Sequence, residues 1–366
     1  MELILEDIRA NAERHGGTAD PVRLAVPVLM TGGIQRALQP ASRRWFVHSM
    51  PVGVAALCCG QRVVPCFPDH LLGANTAIEG YTLWGAIDLI RRLRFRTLEL
   101  QNLVGQPEGR PGQFPGFNFR NCSATTRRRL LAELASFSRV TVHLPYTGLE
   151  YFAPDRSKGA EAALNVIIQA LEAAAFVQAK VAVLHAKPAP GLSFQQSRSV
   201  LIDRLRRWGD FARQQGFVIA VETGYPPSVA EFVELIKEVD HPAVGATLDV
   251  GHQARYVELQ QRVKGLAPSS PDAIRAYNDV NTELVRALGD KLVHLHVHDI
   301  EPSTWREHQP LRYGFVDYPR LLAVLRELPY SGSMVLEIAG SPLEMPRYLR
   351  EAKRKLEGYV AAACKR

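Results

Sequence analysis

The chain has 366 residues, 46% of them hydrophobic and 22% charged, which is ample for a large core and falls within the single-domain range of α/β barrels. Its formal charge of +7 is concentrated in arginine clusters at 91–96, 127–129 and 204–207, all inside predicted helices, so the excess reads as a solvated outer surface rather than a nucleic-acid stripe. No apolar run reaches bilayer length, residues 1–20 lack a basic start and an apolar centre, and the five cysteines (Cys58, Cys59, Cys66, Cys122, Cys364) lack framework spacing, so the expectation is a cytoplasmic protein with free thiols and no membrane partner.

In chain order, residues 1–60 form an amino-terminal extension outside any repeat: a helical segment at 3–15, then short apolar runs at 23–29 and 45–59 broken by Pro and Gly. The extension is expected to be a hairpin packed on the rest or part of a subunit contact, and its Cys58-Cys59 pair lies in a run that reads as buried strand. Residues 61–366 form a second domain. From about residue 70, apolar runs of strand length alternate with amphipathic helical windows, eight times over. The strands are predicted at 70–75, 97–102, 140–145, 181–186, 218–223, 244–249, 292–299 and 333–338. Helices fall at 82–93, 125–137, 159–175, 193–215, 228–239, 272–289 and 317–328, and a last one at 345–360 closes the chain. Strands apolar on both faces, each followed by a helix, point to the α/β class and a parallel (β/α)8 TIM barrel. An open doubly wound sheet would need a Gly-rich first turn, and no G-x-G-x-x-G follows the first strand. A Gly/Pro-rich stretch at 105–117 is too long for an ordinary βα connection and reads as a lid or a surface loop.

Four side chains stand at the carboxyl ends of successive predicted strands: Glu222, Asp249, His296 and Glu337. Burying an unpaired carboxylate beside a strand core is prohibitively costly, so four such groups at one end of a barrel imply a shared partner. Three carboxylates and one imidazole suit a divalent cation, and the imidazole favours Mn²⁺, Zn²⁺, Co²⁺ or Fe²⁺ over Ca²⁺. Further histidines lie at the same level: His143, His185, His252 and His308. His294, His296 and His298 alternate at period two and share a face, with one expected to reach the metal and His294 expected to be a core histidine. Asp299 is a candidate for orienting a ligand imidazole from behind.

The series V-E-T-G at 221–224, L-D-V-G-H at 248–252, H-V-H-D at 296–299, H-x-P-L-x-x-G-x-x-D-Y at 308–318 and V-L-E-I at 335–338 resembles the xylose isomerase-like TIM barrels over about residues 70–350. That superfamily includes sugar isomerases and epimerases, inosose dehydratases and type IV apurinic endonucleases. The resemblance implies that Glu222, Asp249, His296 and Glu337 hold one divalent ion (Mn²⁺, Zn²⁺ or Co²⁺, with Mg²⁺ or Fe²⁺ as alternatives), and that Glu222 and Glu337 are the catalytic acid and base. His143, His185, His252, Arg255 and His308 would bind substrate. The implied activity is isomerisation or epimerisation of a sugar or related polyol ketone, by proton transfer through a metal-stabilised enediolate. A dehydratase or lyase would share that first step. The endonuclease reading needs three zinc ions, and here Arg306 stands where those enzymes carry an aspartate and Arg312 where they carry a glycine. The resemblance therefore implies a small sugar-like substrate, a possible homodimer and a weaker case for nucleic acid.

Overall fold

The chain divides into two units, residues 1–64 and 65–366. The computed structural model describes residues 67–365 apart from Asp69, residues 109–112, residues 155–156 and Pro329, all in the second unit. The expectations for residues 1–60 lie outside the described residues.

Eight parallel strands close into a barrel in sequence order. They are β1 (Leu72–Asn75), β2 (Thr97–Leu100), β3 (Arg139–His143), β4 (Val181–His185), β5 (Val218–Glu222), β6 (Val244–Asp249), β7 (Leu292–Val297) and β8 (Ser333–Leu336). Each matches a predicted strand, because residues buried on both faces leave an apolar run that no surface strand would tolerate. The barrel is closed by pairing of Leu72 with Met334 and Gly73 with Val335 between β1 and β8. Gly73 is required there: a Cβ would lie 2.8 Å from the Thr97 side chain and 2.9 Å from its carbonyl oxygen.

Around the barrel run α1 (Leu83–Arg92), α2 (Ala124–Leu134), α3 (Lys158–Phe176), α4 (Phe194–Gln215), α5 (Val229–Val239), α6 (Val257–Arg262), α7 (Pro271–Leu288), α8 (Tyr318–Arg326) and α9 (Met345–Cys364). The short α6 and a 3₁₀ turn at His252–Arg255 add to the predicted helices, since neither is long enough to show a period in the sequence. Serine, threonine or aspartate caps start α1, α2, α3, α4, α5, α7 and α8, each accepting from a first-turn amide; Ser193 and Gln196 form a full capping box on α4. By length and composition alone α3 could cross a membrane, a test that a core helix also passes. In the fold it is a barrel helix that buries Ala160, Ala163, Ile167, Ala170 and Leu171. Cys122 is a free thiol.

The barrel carries one irregularity that shapes its interior. Between β6 and β7 the register runs Ala246–Leu292 and then Thr247–His294, skipping Val293. Val293 packs with Val181, Val183 and Ala220 inside the barrel, while the next residue, His294, also reaches an interior carboxylate. A regular strand would put these neighbours on opposite faces. The bulge brings both inside and sets the phase for His296 and His298.

Candidate metal centre

Strand register delivers the expected constellation. His185 on β4 pairs with Glu222 on β5, Asp249 on β6 pairs with His296 on β7, and Glu337 immediately follows β8, its amide donating to the Val297 carbonyl at 3.0 Å. One ligand atom from each of Glu222, Asp249, His296 and Glu337 lies within 4.8 Å of the others. His296 Nδ1 is 2.8 Å from Glu222 Oε1, 3.1 Å from Glu337 Oε2 and 3.9 Å from Asp249 Oδ2. Glu222, Asp249 and His296 are buried, and only Glu337 retains appreciable side-chain exposure, at 15%. The group therefore opens to solvent on its Glu337 side.

The donor set fits a cation. Carboxylate oxygens are acceptors only, and the second nitrogen of His296 is already engaged, with Nε2 3.0 Å from Glu99 Oε1. Without an ion, lone pairs would face lone pairs unless the imidazole carries both protons. Burial opposes that charge, yet Glu337, Glu99 and Glu222 outweigh it and raise the imidazole well above its ordinary range. A divalent ion in the centre removes the same conflict by replacing the proton.

The remaining histidines form a wall around Glu222. His185 Nε2 lies 2.8 Å and His143 Nε2 3.4 Å from Glu222 Oε2, and His252 Nδ1 lies 3.8 Å from Oε1. Burial alone would push the Glu222 carboxyl up, but His185 and His296 hold it well below the usual carboxylate range. His185 itself moves down, because burial outweighs the pull of Glu222. His143 moves up, Glu222 outweighing burial. His252 is pushed up to about 9, because Asp249 and Glu222 overcome its burial. Tyr146 extends the wall, its ring centroid 4.0 Å from that of His185.

Asp249 is held in place by two donors. The Gly251 amide donates to Oδ1 at 2.7 Å, and His298 Nε2 lies 3.0 Å from the same oxygen. The His308 amide donates to His298 Nδ1 at 3.0 Å, which leaves the ring proton on Nε2, facing Asp249. The Asp299 carbonyl, also near Nδ1, already accepts from the Gln309 amide. Gly251 is required by close approach, since a Cβ there would lie 2.4 Å from His298 Cε1. Burial pushes Asp249 up, but His252 and His298 win and hold it far below its ordinary value.

Nearer the mouth, His252, Glu307 and His308 form a second, half-buried group whose ligand atoms also lie within 4.8 Å. His252 Nδ1 donates to the Thr223 carbonyl at 2.7 Å and His308 Nδ1 to the Glu337 carbonyl at 2.9 Å, so Nε2 of both rings is left out of these bonds. His308 sits at φ 61°, a left-handed conformation unusual for histidine. It is held there by bonds to His298 and Glu337 and by the Ala339 amide, which donates to its carbonyl at 2.8 Å. Glu307, next to Arg306, supplies an acid beside these histidines.

Of the predicted site residues, the structure brings together Glu222, Asp249, His296, Glu337, His143, His185, His252 and His308. Arg255 is exposed at the end of the turn that carries His252, and none of the hydrogen bonds or ion pairs of the centre involves it. Asp299 does not orient an imidazole: its Oδ1 accepts from the Ile300 and Val316 amides and ties down the β7–α8 loop. The carboxylate behind the His296 imidazole is Glu99 on β2. Its signal in the sequence is a charged residue within the apolar run TLEL. The stretch at 105–117, expected to be a lid or a surface loop, is pinned at its described parts, with the Gly105 and Phe117 amides donating to the Asn102 carbonyl and the Leu83 amide to the Pro107 carbonyl.

Residues 87–359 match the model of the family described as Xylose isomerase-like TIM barrel. Among solved structures, the chain is similar to a D-tagatose 3-epimerase-like protein at 18% identity and TM-score 0.60, with 81% of this chain and 98% of that one covered. It is similar to a 3-keto-D-glucoside 4-epimerase from E. coli at 18% identity and TM-score 0.54, covering 78% and 98%. It is also similar to a xylose isomerase-like TIM barrel protein from Mycobacterium smegmatis in complex with magnesium, at 18% identity and TM-score 0.57, covering 81% and 98%.

Proposed function

Starting from a chain that belongs to the xylose isomerase-like TIM barrels, we propose that it is a divalent-metal-dependent isomerase or epimerase of a sugar or related polyol ketone. The observation that carries this reading is the convergence of Glu222, Asp249, His296 and Glu337 within 4.8 Å at the carboxyl ends of β5 to β8. Two of the similar structures are a sugar epimerase and a sugar epimerase-like protein, which supports the substrate class.

Glu222, Asp249, His296 and Glu337 would hold the ion, with Mn²⁺, Co²⁺, Zn²⁺, Fe²⁺ or Mg²⁺ as candidates. When bound, such an ion polarises adjacent carbonyl and hydroxyl oxygens of a substrate and acidifies the C–H between them. The chain's own groups then move the proton. Glu337, the exposed member, takes or delivers it at the substrate carbon from the β8 side, and Glu222 does so from the β5 side. His185 and His143 keep Glu222 ionised and aimed inward. His252 and His308 offer Nε2 atoms to substrate hydroxyls at the mouth. Tyr146, packed on His185, shields that side from water.

The test is exchange of a carbon-bound proton. A ketohexose incubated with the protein and Mn²⁺ or Co²⁺ in D₂O should gain one deuterium beside its carbonyl, and EDTA should stop it. A second reading, zinc-dependent hydrolysis of phosphodiesters in damaged DNA, is favoured by the His252–Glu307–His308 group, which would hold a further ion. EDTA-sensitive nicking of abasic duplex with no ketose exchange would overturn the first reading in favour of the second.

A further inference from the structure

Glu99 lies deep in the barrel with no solvent exposure. A buried carboxylate needs several donors or a cation, and among the described residues no lysine or arginine pairs with it. Its partners are Thr141, whose hydroxyl donates to Oε2 at 2.9 Å, His294, whose Nε2 lies 3.0 Å from Oε2, and His296, whose Nε2 lies 3.0 Å from Oε1. His294 donates from Nε2, since no hydrogen-bond partner faces its Nδ1. Thr141 and His294 thus fix one oxygen of Glu99, and the other is left for His296. Glu99 comes from β2 and His296 from β7, so this contact spans the barrel interior beneath the centre.

Resting on the metal reading proposed above, we infer that Glu99 is a positioning residue for the ion: it holds the remaining ring proton of His296 on Nε2, so that Nδ1 is presented as a lone pair to the space shared by Glu222, Asp249 and Glu337. A free imidazole can carry its proton on either nitrogen, and the wrong choice would point an N–H at the ion. A carboxylate accepting from Nε2–H settles the choice, fixes the ring plane and makes the ligand nitrogen more basic. The skipped residue Val293 belongs to the same device, since without it His294 and His296 would face away from Glu99. The Glu99 oxygens engage two histidines and a hydroxyl, so its effect on the proposed ion runs through His296.

The experiment compares wild type, Glu99→Gln and Thr141→Val. Titration with Mn²⁺ or Co²⁺ alone should give wild-type binding, weakening by about 10–100-fold in Glu99→Gln and by a smaller factor in Thr141→Val, which leaves the charge in place but loosens it. Nitrogen-15 NMR of the Zn²⁺-loaded protein should show His296 protonated at Nε2 in wild type and a mixed or altered state in Glu99→Gln, a readout that a role in packing alone would not move. Should Glu99→Gln fail to fold, Thr141→Val carries the test in the same direction. Unchanged affinity and an unchanged His296 signal in the folded variants overturn this inference while leaving the metal reading intact. A wild-type protein that binds no ion overturns both.

Discussion

The two halves of the barrel do different work with the same residue types. At the carboxyl ends of β5 to β8 stand Glu222, Asp249, His296 and Glu337, with one atom of each within 4.8 Å of the others. Strands β2 to β4 contribute Glu99, Thr141, His143 and His185, whose atoms converge on those ligands instead. The pattern is reciprocal: the His296 imidazole is backed by a carboxylate, and the Glu222 carboxylate by imidazoles. A carboxylate in a barrel is thus not diagnostic by residue type. What distinguishes Glu222 from Glu99 is height: Glu222 stands at the last residue of its strand, Glu99 one residue before the end of β2 and bonded to the lower histidine of β7.

The largest effects should fall on the converging half. Glu337→Gln keeps the shape of the group and removes its proton-accepting oxygen, so solvent exchange into substrate should drop about 10²–10⁴-fold while the protein stays folded, because the site opens at Glu337. Glu222→Gln should be as severe and should also loosen His185. Retained exchange in both variants would show that neither carboxylate moves the proton.

Support residues should give intermediate effects, read in metal affinity. Gly251→Ala drives a methyl into His298, and overpacking of this kind costs about 1–3 kcal/mol; melting temperature and ion affinity should fall together. A Gly251→Ala variant with wild-type affinity would separate Asp249 from its His298 brace.

The metal-free protein should respond to pH in a way that distinguishes acids from imidazoles. Glu222 and Asp249 have folded values held below the unfolded ones near 4.5 and 3.8, so their contribution is present above that range and lost as pH falls through the depressed values. His252 runs the other way: raised from 6.5 to about 9, its contribution is full below 6.5 and lost as pH rises through about 9. Melting temperature after EDTA treatment should therefore decline between pH 6.5 and 9, and His252→Asn should flatten that decline. A profile that rises across this window would contradict the charge balance described for the centre.

The smallest effect belongs outside the barrel. Arg262 makes two bonds of 2.8 Å with Glu283 on the exposed face of α6 and α7. Glu283→Gln should change stability by less than about 1 kcal/mol and leave ion affinity untouched.

Much of this is legible in the chain itself, for physical reasons. Strands buried on both faces must be apolar, so all eight stand out, and a polar side chain near the end of such a run draws attention, so Glu222, Asp249, His296 and Glu337 stand out too. Glu99 obeys the same rule yet escapes notice, because within TLEL it ends no run and nothing in one sequence says that β2 lies across from β7. Glu307 is hidden for a different reason. The loop from Asp299 to Gln309 folds back on itself, with the two residues bridged, and which of Arg306 and Glu307 points inward depends on that turn rather than on any period. Asp299 has the right chemistry next to the right histidines, but strand alternation faces it away from His296 and towards loop amides.

The central claim is that four strand ends share one divalent ion. It is tested most directly by counting metal on the purified chain after dialysis against Mn²⁺ or Co²⁺, in wild type and in Asp249→Asn. The account predicts about one ion per wild-type chain and its loss or marked weakening in Asp249→Asn. No retained ion, or one that Asp249→Asn leaves untouched, would contradict it.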